Sequence, residues 1–133
     1  MKDITLLILR IIISLILLQT LYFKFTASPE SVFIFSTLGL EPYGRILSGV
    51  GELVASILLL IPSTVILGAA LSLGIISGAL VSHLTLLGIV VMDDGGLLFI
   101  LALVVFFLSI GILILKKEEL KELLNQYIKK GVK

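Results

Sequence analysis

Cysteine does not occur in this 133-residue sequence. Its absence excludes disulfides, iron–sulfur ligation, thiolate catalysis and thiol relays within the chain. Histidine occurs once, as His83. Haem held by paired histidines and a multi-histidine metal site are therefore excluded as well. A redox role would have to borrow its electron carrier from elsewhere. Charge is scarce too: 14% of residues are charged against 59% hydrophobic, and the mean hydropathy is +1.26. A soluble domain needs a charged skin, which this composition does not supply. The net charge of +1 and the lack of a basic patch with interleaved aromatics give no reason to expect nucleic acid. Apolar length is what the chain has instead, and the expected class is an integral membrane protein in a lipid bilayer.

Four apolar segments stand out, at about residues 4–23, 44–61, 64–90 and 96–115. Each can cross roughly 30 Å of hydrocarbon at about 1.5 Å per residue. Backbone groups in lipid must be satisfied internally, so the expected fold class is all-α, a four-helix membrane bundle over residues 1–115. Lys2 precedes the first apolar run as in a signal peptide. Asp3, Arg10 and the lack of a cleavage-like site argue for a retained first helix. Pro62-Ser63 makes a very short turn between spans 2 and 3 and forces a hairpin. Residues 116–133 form a charged amphipathic tail, in which Leu120, Leu123, Leu124, Tyr127 and Ile128 recur at helical spacing. It either lies on the inner leaflet or extends span 4. The lysine excess at the chain ends predicts cytoplasmic termini on one side.

The link from Thr26 to Tyr43 carries a helix-start signal, Ser28-Pro29-Glu30, followed by VFIFSTL and then Gly39. A short interfacial helix is expected there, with Phe33 and Phe35 dipping into lipid or bundle. Asp93-Asp94-Gly95-Gly96 reads as a turn whose Asp caps span 4. Span 3 contains a GxxxG at Gly74 and Gly78 within a stripe of small residues from Ala70 to Ser82. Its expected partner is a helix of the same chain, with a homo-oligomer seam as the alternative.

Ionisable groups inside a membrane are costly, so each is a candidate for function. By depth, Gln19, Tyr22 and Lys24 from span 1, Glu52 from span 2 and His83 from span 3 fall in the outer half of the bundle. Together they form the expected polar cluster. Glu52 either fixes helix register or serves a ligand or proton. Arg10 lies toward the inner side, as a structural charge that snorkels to headgroups or points toward Glu52. Arg45 at the rim meets headgroups or Glu41. Too few ligands share the cluster for a metal site, and none is expected. A proton pathway or transporter is the weakest reading, because the inner half offers only Arg10, which does not titrate usefully.

The ordered set Leu9-Arg10, Tyr22-Phe23-Lys24, Gly39-Leu40-Glu41-Pro42 and Gly51-Glu52-Leu53, followed by the small-residue third span, resembles the DoxX-like membrane proteins. The resemblance covers about residues 5–115. It implies a four-helix membrane bundle associated with a membrane oxidoreductase partner, a thiosulfate:quinone oxidoreductase among them, and polar positions at Arg10, Lys24 and Glu52. Two functions remain open at this point. One is an accessory or quinone-facing subunit, with quinone at the outer-half cluster. The other is a non-enzymatic assembly or scaffolding protein whose cluster is structural. No self-contained catalytic residue set is visible.

Overall fold

The computed structural model describes residues 2–131. Residues 1, 132 and 133 and the side chain of Lys2 lie outside that description, and with them two of the expected terminal lysines. Helix α1 spans Lys2–Phe25, α2 Pro29–Thr37, α3 Tyr43–Leu60, α4 Val65–Ser82, α5 Leu97–Leu115 and α6 Lys117–Gly131. A 3₁₀ turn covers Pro62–Thr64 and a π-helical turn covers His83–Leu87. Four stretches are long and apolar enough to cross a membrane: Asp3–Phe25, Tyr43–Leu60, Pro62–Leu87 and Leu97–Leu115. The protein is a multi-pass membrane bundle. The third span ends three residues before its expected end at 90, because Gly88 takes a left-handed φ of +79° and stops the helix.

The four spans pack as a ring in the order α1, α3, α4, α5, with α5 returning to α1. Ile13, Leu17, Leu59, Val65, Val105 and Ile112 fill its centre and are almost wholly buried. Leu15, Leu47, Val81, Ile100 and Phe107 point outward and are mostly exposed. This is the apolar belt that lipid would cover. Ser72 and Ser109, both fully buried, share a hydrogen bond of 2.7 Å between α4 and α5. Neither hydroxyl is left unpaired in the apolar centre.

The hairpin of α3 and α4 closes on Gly68. A Cβ there would lie 2.7 Å from the Leu59 backbone nitrogen. The two backbones therefore touch where only hydrogen fits. Gly74 and Gly78, the expected GxxxG contact, are exposed, and a Cβ at either would meet nothing within 4 Å. The expectation that this stripe packs inside the chain is thus corrected: spacing identified small residues on one face, but that face points out of the bundle. Gly68→Ala is expected to cost about 1–3 kcal/mol of stability through overpacking. Gly78→Ala should cost nothing comparable. Unfolding in mixed micelles compares the two.

The link before α3 forms the expected short helix. Ser28 accepts from the Ser31 N–H at 3.3 Å, and Pro29 occupies the first turn. Phe35 is buried while Phe33 is exposed, so this α2 lid inserts one aromatic and leaves the other outside. At the far end, Lys116 breaks the helical line with φ −107° and ψ 24°, and the tail continues as α6. The lid face and the tail face are the two ends of the bundle.

Candidate functional site

Two charged side chains and one hydroxyl on α1 and α3 make the polar seam. On α1, Thr20 and Lys24 are four residues apart and share a face. That face continues the buried stripe Ile13, Leu17 and Leu21. On α3, Glu52 sits on the buried stripe Arg45, Gly49, Glu52, Ala55, Ser56 and Leu59. Antiparallel packing of the two stripes brings Lys24 Nζ to 2.5 Å from Glu52 Oε1. The Glu52 side chain is 4% exposed and that of Lys24 16%. Thr20 Oγ1 lies 3.0 Å from Glu52 Oε2 and 2.7 Å from the Leu17 carbonyl, so its one proton serves either acceptor. The Lys24 ammonium also stands 5.9 Å from the centre of the Phe35 ring. The lid thus places an aromatic face against the cation.

Gln19 and Tyr22 do not join this cluster. Gln19 is exposed, Tyr22 is 67% exposed, and the Tyr22 ring packs edge-on against Phe23. Each residue turns the helix by about 100°. Gln19 therefore lies a step off the face of Thr20 and Lys24, and Tyr22 lies nearly opposite. Thr20 takes the place expected of Gln19. Its signal was present: it is four residues before Lys24 and three after buried Leu17.

Arg45 is buried at the start of α3. Its Nε donates to both Glu41 carboxylate oxygens, at 2.9 and 3.1 Å, and its Nη1 donates to the Lys24 carbonyl. The expected Glu41 contact is present, and the α1 terminus is a second partner. Lys24 is thus held twice, by its ammonium on Glu52 and by its carbonyl on Arg45.

Arg10 takes a position that neither expectation described. It is buried, and it reaches neither headgroups nor Glu52. Its Nε donates to the Leu59 carbonyl at 2.6 Å and its Nη2 to the Leu60 carbonyl at 2.9 Å. The cause is the end of α3. Pro62 has no N–H to offer, and a helix leaves its last carbonyls without internal partners. Thr64 Oγ1 takes the Leu58 carbonyl at 2.8 Å. Arg10 takes the next two, and its charge complements the negative end of the helix dipole.

His83 is buried within the π turn. Its Nδ1 lies 2.8 Å from the Gly88 carbonyl, so Nδ1 carries the proton in that bond. Its ring meets Phe99 edge-on at 5.6 Å. His83 therefore ties the end of the third span to its own loop and to α5. Its hydrogen-bond partner is Gly88, not the Lys24–Glu52 pair. Asp94 supports the same loop. Its Oδ1 accepts from the Val91 and Gly96 N–H groups at 3.0 and 2.8 Å, and its Oδ2 accepts from Leu98 at 3.1 Å. This is the expected Asp cap of span 4. Partial burial pushes the Asp94 carboxyl up, but the three backbone donors, with His83 adding to them, hold it below the usual carboxylate value.

A depressed carboxyl stabilises the fold at pH above its unfolded value, and that contribution is lost as pH falls through the lower folded value. Asp94→Asn is expected to cost about 1 kcal/mol near neutrality. The gap from the parent should close as pH drops below about 4. Thermal unfolding in detergent across that range checks the sign.

With this geometry established, comparison with family models, curated proteins and solved structures gives no match. Among the described residues, no three His, Asp or Glu side chains converge as metal ligands. Two open clefts, of about 390 and 290 Å³, lie at the tail face between α4 and α6 rather than at Glu52. Chemically, the seam offers one carboxylate, one ammonium and one hydroxyl, already joined to one another beneath an aromatic lid.

Proposed function

We propose that this chain is an accessory, non-catalytic subunit of a membrane oxidoreductase system, and that its polar seam builds the bundle. The association with oxidoreductases rests on the DoxX-like resemblance. The non-catalytic part rests on one observation: Arg10, Lys24, Glu41 and Glu52, which carry that resemblance, are all engaged by groups of the chain itself. An accessory subunit must meet its partner within the membrane. Ala70, Gly74 and Gly78 present a small, outward face suited to close approach of another helix, from the partner or from a second copy of this chain. The cell membrane, with both chain ends cytoplasmic, is the location this reading implies.

Gentle detergent extraction from native membranes, followed by mass spectrometry of retained proteins and lipophilic molecules, tests the proposal. An oxidoreductase component should co-purify. Leucine at both Gly74 and Gly78 should release it while thermal stability stays unchanged, since a Cβ at either would meet no described residue within 4 Å. Recovery of the chain with no such component would overturn the proposal.

A quinone-facing role is the second reading. It is favoured by the partial exposure of Lys24, which leaves an ammonium at the lid face where a quinone carbonyl could accept from it. Quinone-induced stabilisation that is lost in the Lys24→Met, Glu52→Leu double variant would support it. Equal stabilisation of parent and variant would sink it.

A further inference from the structure

Helix α6 has an apolar arc that its own bundle leaves open. Leu124, Tyr127 and Ile128 are 53%, 67% and 63% exposed, and no residue of the helix is buried. The tail does not run straight away from α5. Leu67, in the first turn of α4, borders the same cleft as Leu123, Tyr127 and Lys130. A straight continuation would carry residue 130 about 20 Å beyond Lys116, out of reach of Leu67. The helix therefore turns at Lys116 and folds back beside the tail end of the bundle. There Leu67, itself exposed, lines a cleft together with Leu123 and Tyr127.

The charges of α6 are sorted around that arc. At about 100° per residue, Lys121 borders one edge of the apolar face and Lys130 borders the other, while Lys117 falls on the face itself at the first turn of the helix. Glu118 and Glu122 lie opposite, with Asn125 and Lys129. Glu119, near the Lys130 edge, lies 3.0 Å from Lys116 Nζ. A helix bound to another protein has no need for cations at both borders and acids at the back. A helix lying at the boundary of an anionic leaflet does. Its lysine stems run along the apolar face, its ammoniums meet phosphates, and its carboxylates face water.

We propose that α6 docks lengthwise on the leaflet from which it emerges, with Leu124, Tyr127 and Ile128 in the headgroup–acyl boundary and Lys117, Lys121 and Lys130 on anionic lipid headgroups. The occupant of the open arc is thus the bilayer surface. This goes beyond the accessory role and does not depend on it.

The chain contains no tryptophan, so a single introduced one reports its own position. Full-length Tyr127→Trp and Asn125→Trp proteins are reconstituted in vesicles of phosphatidylcholine, alone or mixed with phosphatidylglycerol. In mixed vesicles, Tyr127→Trp should emit at shorter wavelength and be quenched by brominated acyl chains. Asn125→Trp should be quenched by aqueous acrylamide instead. Replacing Lys117, Lys121 and Lys130 by Gln should reduce the docked-to-free ratio by about five-fold per lysine near the surface, and added salt should act in the same direction. Equal acrylamide access at both positions would overturn the proposal. So would a Tyr127→Trp shielded from both acrylamide and brominated lipid, because the arc would then be covered by protein. Lipid quenching unaffected by lysine replacement, salt or phosphatidylglycerol would overturn the assignment to anionic headgroups.

Discussion

Lys24→Met should destabilise the bundle by about 3 kcal/mol, the largest effect expected of any conservative change in the polar seam. The substitution keeps the apolar stem and removes only the ammonium. Glu52, with a side chain 4% exposed, would be left with the Thr20 hydroxyl as its remaining side-chain donor, and that proton is contested by the Leu17 carbonyl. An uncompensated buried carboxylate is the costly outcome. The 16% exposure of Lys24 places the cost toward the lower end of the range for broken buried pairs. Adding Glu52→Leu should recover most of the loss, because an apolar pair suits surroundings that are otherwise apolar. A double-mutant cycle read by reversible unfolding in mixed micelles measures this coupling. If the double variant stays as unstable as Lys24→Met alone, the pair is not the source of the cost. The same stable double variant also separates roles: one that folds and still retains its partner has a seam that serves only the fold.

Arg10→Met should cost about 2–4 kcal/mol by a different route. Here the charge itself is not what must be satisfied. The loss lies in two carbonyls, Leu59 and Leu60, at a helix end where Pro62 offers no donor. Leu59 is fully buried, so its carbonyl has no ready access to water. Arg10→Lys should recover only part of the loss. The guanidinium fork reaches both carbonyls through separate nitrogens, and an ammonium presents one. Full recovery with lysine would mean that the charge near the helix end, rather than the paired hydrogen bonds, does the work. The same unfolding measurement distinguishes these results.

Hydropathy alone made the spans legible, because a composition this apolar has few other ways to fold. Pro62 and Ser28-Pro29 marked helix boundaries through backbone chemistry that acts locally. The Lys24–Glu52 pairing could be read from depth, since two opposite charges in apolar surroundings must find each other. Depth does not resolve the face of a helix. It placed Gln19 and Tyr22 beside Lys24 when rotation about α1 puts Thr20 there instead. It also placed His83 with Glu52, although its partner is local, the Gly88 carbonyl just after the π turn. The small-residue stripe failed for a similar reason. Its spacing shows that Gly74 and Gly78 share a face, and only the packing of α4 shows that this face looks outward. Arg10 was misread because helix ends are tertiary events. Nothing in residues 1–20 announces that a carbonyl end some fifty positions later will need a donor there.

The two arginines also act as a gauge of membrane thickness. Arg10 on α1 holds the end of α3, and Arg45 on α3 holds the end of α1 at Lys24. The interval from Arg10 to Lys24 matches that from Arg45 to Leu59, so both arms rise by about 21 Å. A slide of one helix past the other by a single residue would break both attachments together. The pair therefore sets a fixed span between two positive charges, one toward each face of a hydrocarbon layer roughly 30 Å thick. Each guanidinium is held by the carbonyls of a helix end. In a thicker or thinner bilayer this pair cannot stretch or shorten to follow, so the bundle has to tilt, or the lipid around it has to deform.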